Sequence, residues 1–178
     1  MQIIGMSMGY VQVYYSNYWY HLFLDIDGVL NTGRNSDYLV ENGQCETDAD
    51  GYLFDPEAVQ NLERIIEATD AKIIITSTWR YDGDMQILWR NRNLAGEVIG
   101  TTPTLLREKT IGKIKVYYGH RGMEVEAWLQ DNAISPYKYA ILDDEDDYLP
   151  HQAEHLILTD PMTGITKDIA DNVINLLE

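Results

Sequence analysis

Short, uninterrupted apolar segments alternate along this chain with amphipathic segments of helical period, and this alternation is the strongest constraint on its fold. Buried strands are expected at five ranges: 20–24, 72–75, 97–101, 139–142 and 155–158. Helices are expected from the Asp55-Pro56 pair onward, at 122–130 and at 168–177. Continuous apolar strands that alternate with helices indicate a parallel sheet with both faces covered. The predicted fold is therefore a three-layer α/β/α sandwich.

Polar side chains stand at the point where three of these predicted strands end. In chain order they are Asp25 and Asp27, then Thr76 and Ser77, then Asp143 and Asp144. In parallel α/β sheets, ligands bind beyond the carboxyl ends of the strands. The sequence therefore predicts that three separate strands contribute to one site at one edge of the sheet.

The segment Asp25-Ile26-Asp27-Gly28 places two carboxylates on the same side of an extended chain just before a turn. Burying two such charges is costly unless a cation compensates, and oxygen ligands together with a substrate phosphate suit Mg²⁺. One carboxylate can then act as a nucleophile that forms an aspartyl-phosphate. The other can protonate the leaving oxygen and later activate water.

The hydroxyl of Thr76 and the backbone N–H groups of Ser77 and Thr78 are suited to holding the oxygens of a transferring phosphoryl group. A cationic side chain is also needed, because negative charge develops around phosphorus during the transfer. The pattern as a whole predicts phosphoryl transfer.

These motifs resemble those of the haloacid dehalogenase-like (HAD) phosphohydrolase superfamily. The matching segments are 23–29, 73–76 and 140–144. The resemblance implies Asp25 as nucleophile and Asp27 as general acid/base. It further implies Mg²⁺ held by Asp25, the Asp27 carbonyl and one of Asp143 or Asp144, in a Rossmannoid sheet of strand order 5-4-1-2-3 with a minimal cap.

More narrowly, the chain is similar to the small HAD domains associated with RNA-repair proteins, through segments 27–31, 76–80 and 142–145. This similarity covers residues 20–178, expected to form a single domain, and leaves residues 1–19 as an N-terminal extension. The third motif of the superfamily is a Lys or Arg. Arg121 is the favoured candidate for it, with Lys113 and Lys115 as alternatives.

Charge limits the substrate classes. The formal net charge is −16, from 29 acidic and 13 basic residues, which disfavours an extended nucleic-acid groove. Residues 80–121 contain eight basic and four acidic residues, a local +4 that is either a solvated surface or a basic rim for an anionic substrate. Arg80, which follows the second motif, is the favoured substrate contact, together with Ser77. The expected substrate is a nucleotide or other phosphorylated small molecule, or the terminal phosphate of a nucleic acid.

The chain has a single cysteine, Cys45, and no apolar run that approaches the ~20 residues of a membrane-spanning helix. A cytoplasmic protein without a membrane partner is therefore expected, with residues 10–15 forming a strand or an adhesive extension.

Residues 46–57 weakly resemble a calcium loop, although an acidic flap near the nucleophile is the favoured interpretation. Trp79 is interpreted as a packing residue, with base stacking as the alternative. Two other functions stay open: phosphate transfer to an acceptor other than water, and non-catalytic binding of metal or phosphate.

Overall fold

The computed structural model describes residues 2–7, 10–14, 18–105, 107–111 and 114–178, with side chains described for 18–105 and 119–178. The strands are β1 Gln2–Ser7, β2 Tyr10–Tyr14, β3 Trp19–Leu24, β4 Thr47–Asp48, β5 Gly51–Tyr52, β6 Lys72–Ile75, β7 Val98–Thr101, β8 Arg107–Ile111, β9 Ile114–Tyr118, β10 Tyr137–Asp143 and β11 Leu156–Leu158. The α-helices are α1 Gly33–Glu41, α2 Pro56–Thr69, α3 Met85–Asn91, α4 Arg121–Asn132 and α5 Lys167–Leu177. Two 3₁₀ helices cover Thr78–Tyr81 and Pro150–Gln152.

The main sheet has five strands in the order β11-β10-β3-β6-β7, and every neighbouring pair is parallel. In the numbering of the whole chain this order differs from the predicted one, because the strands of three separate hairpins are counted too. Counted among the sheet's own strands, the order reads fifth, fourth, first, second, third. The strand that carries the first motif, β3, therefore lies at the centre of the sheet, between β10 and β6.

Alternate residues of β3 face opposite sides of the sheet, and both sides are apolar. Leu22 and Leu24 pack in a cluster with residues of α2 and α5, whereas Phe23 packs on the other side with residues of α4. Leu22, Phe23 and Leu24 are all fully buried. Helices thus cover both faces, as the uninterrupted apolar strands predicted.

The helix that follows the first insert begins where the Asp55-Pro56 pair predicted. Asp55 is the N-cap of α2 and accepts a hydrogen bond from the Glu57 N–H at 2.9 Å, and Pro56 occupies the first helical turn. The Asp55 carboxylate also accepts hydrogen bonds from Thr32 (2.7 Å) and Arg34 (2.8 Å). These contacts tie the start of α1 to the start of α2.

The insert between β3 and α2 contains α1 and a small antiparallel hairpin of β4 and β5. This hairpin occupies part of the segment that the sequence predicted as an acidic flap. A calcium loop over 46–57 does not form, because Glu57 lies within α2 and Asp48 pairs with Arg92 at 2.9 Å. The segment is therefore a hairpin followed by a helix start.

The N-terminal strands β1 and β2 form a separate antiparallel hairpin, and β2 corresponds to the strand expected at 10–15. Strands β8 and β9 form another separate hairpin between β7 and α4. None of the described helices is both long and apolar enough to cross a membrane.

Candidate active site

Three strands of the sheet end side by side and carry their polar residues to one edge. The Asp25 N–H donates to the Leu142 carbonyl of β10 at 3.0 Å, and the Thr76 N–H donates to the Leu24 carbonyl of β3 at 2.9 Å. These bonds continue the sheet by one residue beyond β3 and β6. The parallel register therefore brings Asp25, Thr76 and the end of β10 together, as the strand-end rule predicted.

Asp25, Asp143 and Asp144 form a group of carboxylates at this edge. One oxygen from each lies within 4.8 Å of the others. Asp25 and Asp143 are buried and Asp144 is half-buried. Hard oxygen donors at this spacing fit a divalent cation. A metal can therefore be held by three of the four residues that the sequence assigned to it.

Arg121, the favoured candidate for the third motif, lies beside these acids. Its Nη1 is 3.2 Å from Asp25 Oδ1 and 2.5 Å from Asp143 Oδ2. It is the first residue of α4, and its backbone N–H donates to Asp147 Oδ2 at 3.1 Å. The negative charges of Asp25 and Asp143 raise the pKa of the guanidinium, so Arg121 stays cationic. Of the alternatives, Lys113 lies outside the described residues and Lys115 is described only as part of β9.

The two acids that follow β10 are in different surroundings. Asp143 accepts hydrogen bonds from Arg121, from the Tyr148 hydroxyl (2.5 Å) and from the Glu145 N–H (3.0 Å). Burial and the charge of Asp143 raise the pKa of the Tyr148 phenol, which keeps it a donor. Asp144 lies against Gly28, where an added Cβ would come 2.5 Å from Asp144 Oδ2. Gly28 also has a φ of +70°, so both the backbone and the space favour glycine there.

Asp25 is held in a strongly perturbed environment. Burial raises the pKa of its carboxyl to about 7, repulsion from Asp143 adds to the increase, and the charge of Arg121 opposes it. Burial, followed by the charge of Asp143, also raises the pKa of Asp144. A bound divalent cation would favour the ionised form of both carboxyls, since an opposite charge at close range lowers their pKa.

Two buried polar atoms at the end of the first two motifs lack a hydrogen-bond partner among the described residues. They are Thr76 Oγ1 and Asp25 Oδ1, the second of which is in ion-pair contact with Arg121 Nη1 at 3.2 Å. Such atoms are rare in folded proteins, because leaving them unsatisfied costs free energy. Neighbouring Ser77 is fully buried, and its hydroxyl favours the ionised form of Asp25, which acts to lower the pKa of that carboxyl. The Thr76 hydroxyl, which makes no hydrogen bond within the described residues, fits a site that completes its hydrogen bonding with a ligand.

Asp27 is exposed and stands apart from the three metal-binding candidates. Its carboxylate accepts a hydrogen bond from Asn31 Nδ2 at 2.7 Å, and the Trp79 Nε1–H donates to both of its oxygens at 3.1 Å. The carboxylate is thus fixed by two donors rather than placed with the metal group. Trp79 therefore does more than pack, because it orients one of the two acids of the first motif.

Arg80 is not placed as a free cation at the edge of the site. Its side chain is 5% exposed and forms an ion pair with Glu124 at 2.7 Å. It also donates to the carbonyls of Thr76 and Ser77. The guanidinium therefore braces the second motif against α4, and its position supports a structural role rather than the direct substrate contact that the sequence suggested.

Sequence reasoning gave Trp79 a packing or base-stacking role and gave Tyr148 and Glu124 no role in this site. The contacts of Trp79 with Asp27 and of Glu124 with Arg80 join residues 52 and 44 positions apart. A single sequence contains no signal for such pairs. The contact of Asn31 with Asp27 could have been predicted from the sequence, since the two residues lie four positions apart in the first motif.

Two cavities open beside Asp27. The larger, of about 600 Å³, lies between the β4–β5 hairpin and the start of α3. The smaller, of about 260 Å³, lies between α1 and the segment around Gly28. Asp27 lines both, so it stands between the acid group and the available space.

Comparison with known proteins gives one result that bears on this site. No curated protein and no solved structure matches the chain. The family described as "HAD domain in Swiss Army Knife RNA repair proteins" matches residues 21–170, a range that contains all three strand-end motifs. Because this match covers most of the 178 residues, the chain belongs to that family of HAD domains.

Proposed function

We propose that this protein is a Mg²⁺-dependent phosphomonoester hydrolase that acts through an aspartyl-phosphate on Asp25. Membership of a HAD family supports phosphohydrolase activity in general. The observation that carries the proposed role of Asp25 is its contact with Arg121 at 3.2 Å. The Thr76 hydroxyl, at the end of the neighbouring strand, makes no hydrogen bond within the described residues. A nucleophile, a phosphate-binding hydroxyl and a fixed cation are thereby in one place.

In the first half of the reaction, a carboxylate oxygen of Asp25 attacks phosphorus and the bond to the leaving oxygen breaks. Asp27, as the carboxylic acid, gives its proton to that leaving oxygen. In the second half, Asp27 removes a proton from water, which attacks the phosphorus of the aspartyl-phosphate. Inorganic phosphate leaves and Asp25 is restored as a carboxylate.

The remaining residues hold the phosphoryl group during both steps. Thr76 and Ser77 offer hydroxyl groups beside Asp25, and Arg121 supplies a fixed positive charge. Because these groups are already in place, little reorganisation is needed as charge develops. Arg80 keeps the backbone of Thr76 and Ser77 in position through its bonds to their carbonyls.

The residues that would hold Mg²⁺ are Asp25 and Asp144, with the Asp27 carbonyl as the third ligand that the family resemblance implies. Asp143 completes the acid group and already accepts three hydrogen bonds from the protein. When bound, the ion would neutralise charge on the phosphate and on the acid group.

Two classes of phosphomonoester substrate fit the proposed function. The RNA-repair association in the name of the matched family supports a nucleic-acid terminal phosphate. The net charge of −16 supports a nucleotide or other small phosphoester, since a polyanion would be repelled.

The deciding experiment is phosphate release from a panel of phosphomonoesters, with and without Mg²⁺. The panel holds p-nitrophenyl phosphate, nucleotides, sugar phosphates and 3′- or 5′-phosphorylated oligonucleotides. Asp25→Asn is expected to abolish release, whereas Asp146→Asn, which changes an exposed acid two residues beyond Asp144, is expected to keep it. Full activity in Asp25→Asn would rule out the proposed nucleophile. Transfer to an added alcohol in place of water would instead identify a phosphotransferase.

A further inference from the structure

The larger cavity beside Asp27 is placed to receive the part of the substrate that leaves with the ester oxygen. Its volume of about 600 Å³ is within the ~300–1,000 Å³ of small-ligand pockets. Asp27 lines it, and so do Thr78 and Trp79, which follow directly after the phosphate-binding pair Thr76 and Ser77. A leaving group whose oxygen takes the proton of Asp27 therefore has this cavity next to it.

The cavity offers apolar and aromatic surface. Tyr52 of the β4–β5 hairpin is 53% exposed and Ile87 of α3 is 46% exposed, although both are large apolar side chains. Trp79 lines the same cavity, and its indole N–H donates to Asp27. Exposed apolar side chains around one cavity are typical of a binding site. They suit a flat ring better than a flexible charged chain.

The charge of the cavity is the second observation. Asp27, Asp50, Asp82 and Asp84 line it, and among the described residues no Lys, Arg or His does. Asp84 is partly compensated as the N-cap of α3, and Asp50 accepts hydrogen bonds from Asn91, whereas Asp82 is an exposed acid in the cavity lining. A second phosphate on the leaving group would lie among like charges, which is unfavourable.

The smaller cavity is a poorer place for this group. Its volume of about 260 Å³ falls below the usual range of small-ligand pockets. It lies on the α1 side of Asp27, away from Thr78 and Trp79. The larger cavity is also the one that adjoins the second motif.

We infer that the substrate is a small phosphomonoester whose leaving group is one uncharged, ring-bearing alcohol of about nucleoside size, bound in the cavity of Tyr52, Trp79 and Ile87. This inference rests on the proposed function and chooses between its two substrate classes. A nucleic-acid end, whose leaving group carries further phosphates, is the class that the acidic cavity rejects.

The first test compares two substrates with the same reacting phosphate. Adenosine 5′-monophosphate has an uncharged leaving group, whereas a 5′-phosphorylated ApA dinucleotide carries one more phosphate on it. The wild-type protein with Mg²⁺ is expected to show a higher kcat/KM for the monophosphate. Equal or better use of the dinucleotide would overturn the inference and point to an RNA end.

The second test changes the charge of the cavity. Asp82→Lys is expected to raise the dinucleotide-to-monophosphate ratio of kcat/KM by about three- to tenfold at low salt, since attraction replaces repulsion. Glu67→Lys makes the same charge change on the exposed side of α2 and should leave the ratio unchanged. An equal shift in both variants, or in neither, would contradict a local effect of the cavity.

Binding of adenosine alone tests the inferred leaving-group site independently of the proposed hydrolysis. Calorimetric titration of the wild type is expected to show saturable binding that Tyr52→Ala and Ile87→Ala weaken by about fivefold or more. If no phosphate is released from any substrate but adenosine still binds in this way, the proposed hydrolase fails and the pocket stands. Absence of binding, with or without turnover, would overturn the inference.

Discussion

At the scale of single residues, the acids of the site differ in how far the protein itself satisfies them. Asp143 accepts three hydrogen bonds and Asp27 is held by Asn31 and Trp79, whereas Asp25 Oδ1 has an ion pair with Arg121 but no hydrogen bond within the described residues. The Asp144 carboxylate is closely packed against Gly28. Hydrogen bonds therefore fix Asp143 and Asp27 in place, and under the proposed function Asp25 and Asp144 are the acids that bind ligands.

Replacement of Trp79 by Phe should reduce catalysis through Asp27 while leaving the fold intact. The substitution removes the N–H that donates to both Asp27 oxygens at 3.1 Å but keeps an aromatic ring. We expect kcat to fall by about three- to tenfold for alkyl phosphates, and less for p-nitrophenyl phosphate, whose leaving group needs little protonation. The measurement is the dependence of kcat on leaving-group pKa.

Trp89→Phe is the matched control, because the Trp89 Nε1–H donates to the Ala95 carbonyl at 2.9 Å, away from Asp27. It should cost stability of about 1 kcal/mol without changing the leaving-group dependence. The same slope in both variants would show that Trp79 does not act through Asp27.

Replacement of Asp144 by Asn should weaken binding of Mg²⁺. One of three carboxylates is lost from a group whose oxygens lie within 4.8 Å, so we expect the Mg²⁺ concentration for half-maximal thermal stabilisation to rise by about tenfold or more. Thermal denaturation across a Mg²⁺ series measures this without turnover. Asp146→Asn should behave as the wild type, and an unchanged midpoint in Asp144→Asn would exclude it as a ligand.

At the scale of elements, the sequence predicted the central sheet and the helices α2, α4 and α5, because their apolar residues recur with clear periods. Strand β6 was predicted with its observed bounds, and α5 was predicted one residue short. Helices α1 and α3 were not predicted. Leu39 is the only buried residue of α1, which leaves almost no apolar period to detect, and α3 spans only seven residues. Two-residue strands such as β4 and β5 are set by a turn rather than by a pattern.

The burial of Arg80 was not predicted from the sequence, and the cause is physical. Its place after the second motif is compatible with an outward or an inward side chain, and the choice depends on Glu124 of α4, which is 5% exposed. Burial of an unpaired Glu124 would be costly, so the pair forms and Arg80 turns inward. Sequence position alone cannot supply that information.

Breaking the buried ion pair of Arg80 and Glu124 should destabilise the protein strongly. Glu124→Gln leaves the buried guanidinium of Arg80 without its carboxylate, and we expect a loss of about 3–5 kcal/mol in the free energy of unfolding. Urea denaturation measures it. The exposed pair of Arg64 and Asp171 is the matched control, where Asp171→Asn should cost less than about 1 kcal/mol. Similar losses in the two variants would contradict the structural role of Arg80.

At the scale of the whole molecule, the chain combines a strongly negative surface with a site for a negatively charged group. The net charge is −16, while the site gathers Arg121 and the group of Asp25, Asp143 and Asp144 at one edge of the sheet. The long-range field therefore opposes the approach of a phosphoester that the local site attracts.

The rate of substrate capture should consequently increase with ionic strength. Between about 20 and about 200 mM salt, screening shortens the reach of the surface charge, so kcat/KM for a small phosphomonoester is expected to rise by a few fold. Measurement at saturating substrate is the control, since kcat itself should change little. A kcat/KM that falls over this range would show that positive charge dominates the approach to the site.

The central position of β3 has a consequence for how the protein is made. The strand leaves the ribosome early, but its two neighbours in the sheet are β6 and the much later β10. A nascent chain that stops short of β10 therefore carries Asp25 and Thr76 without Asp143 and Asp144. Long-range pairing of this kind is slow to form, because the intervening loop must close first. The group of Asp25, Asp143 and Asp144 therefore forms only after β10 has been synthesised, and any chemistry that needs all three acids is absent from a shorter nascent chain.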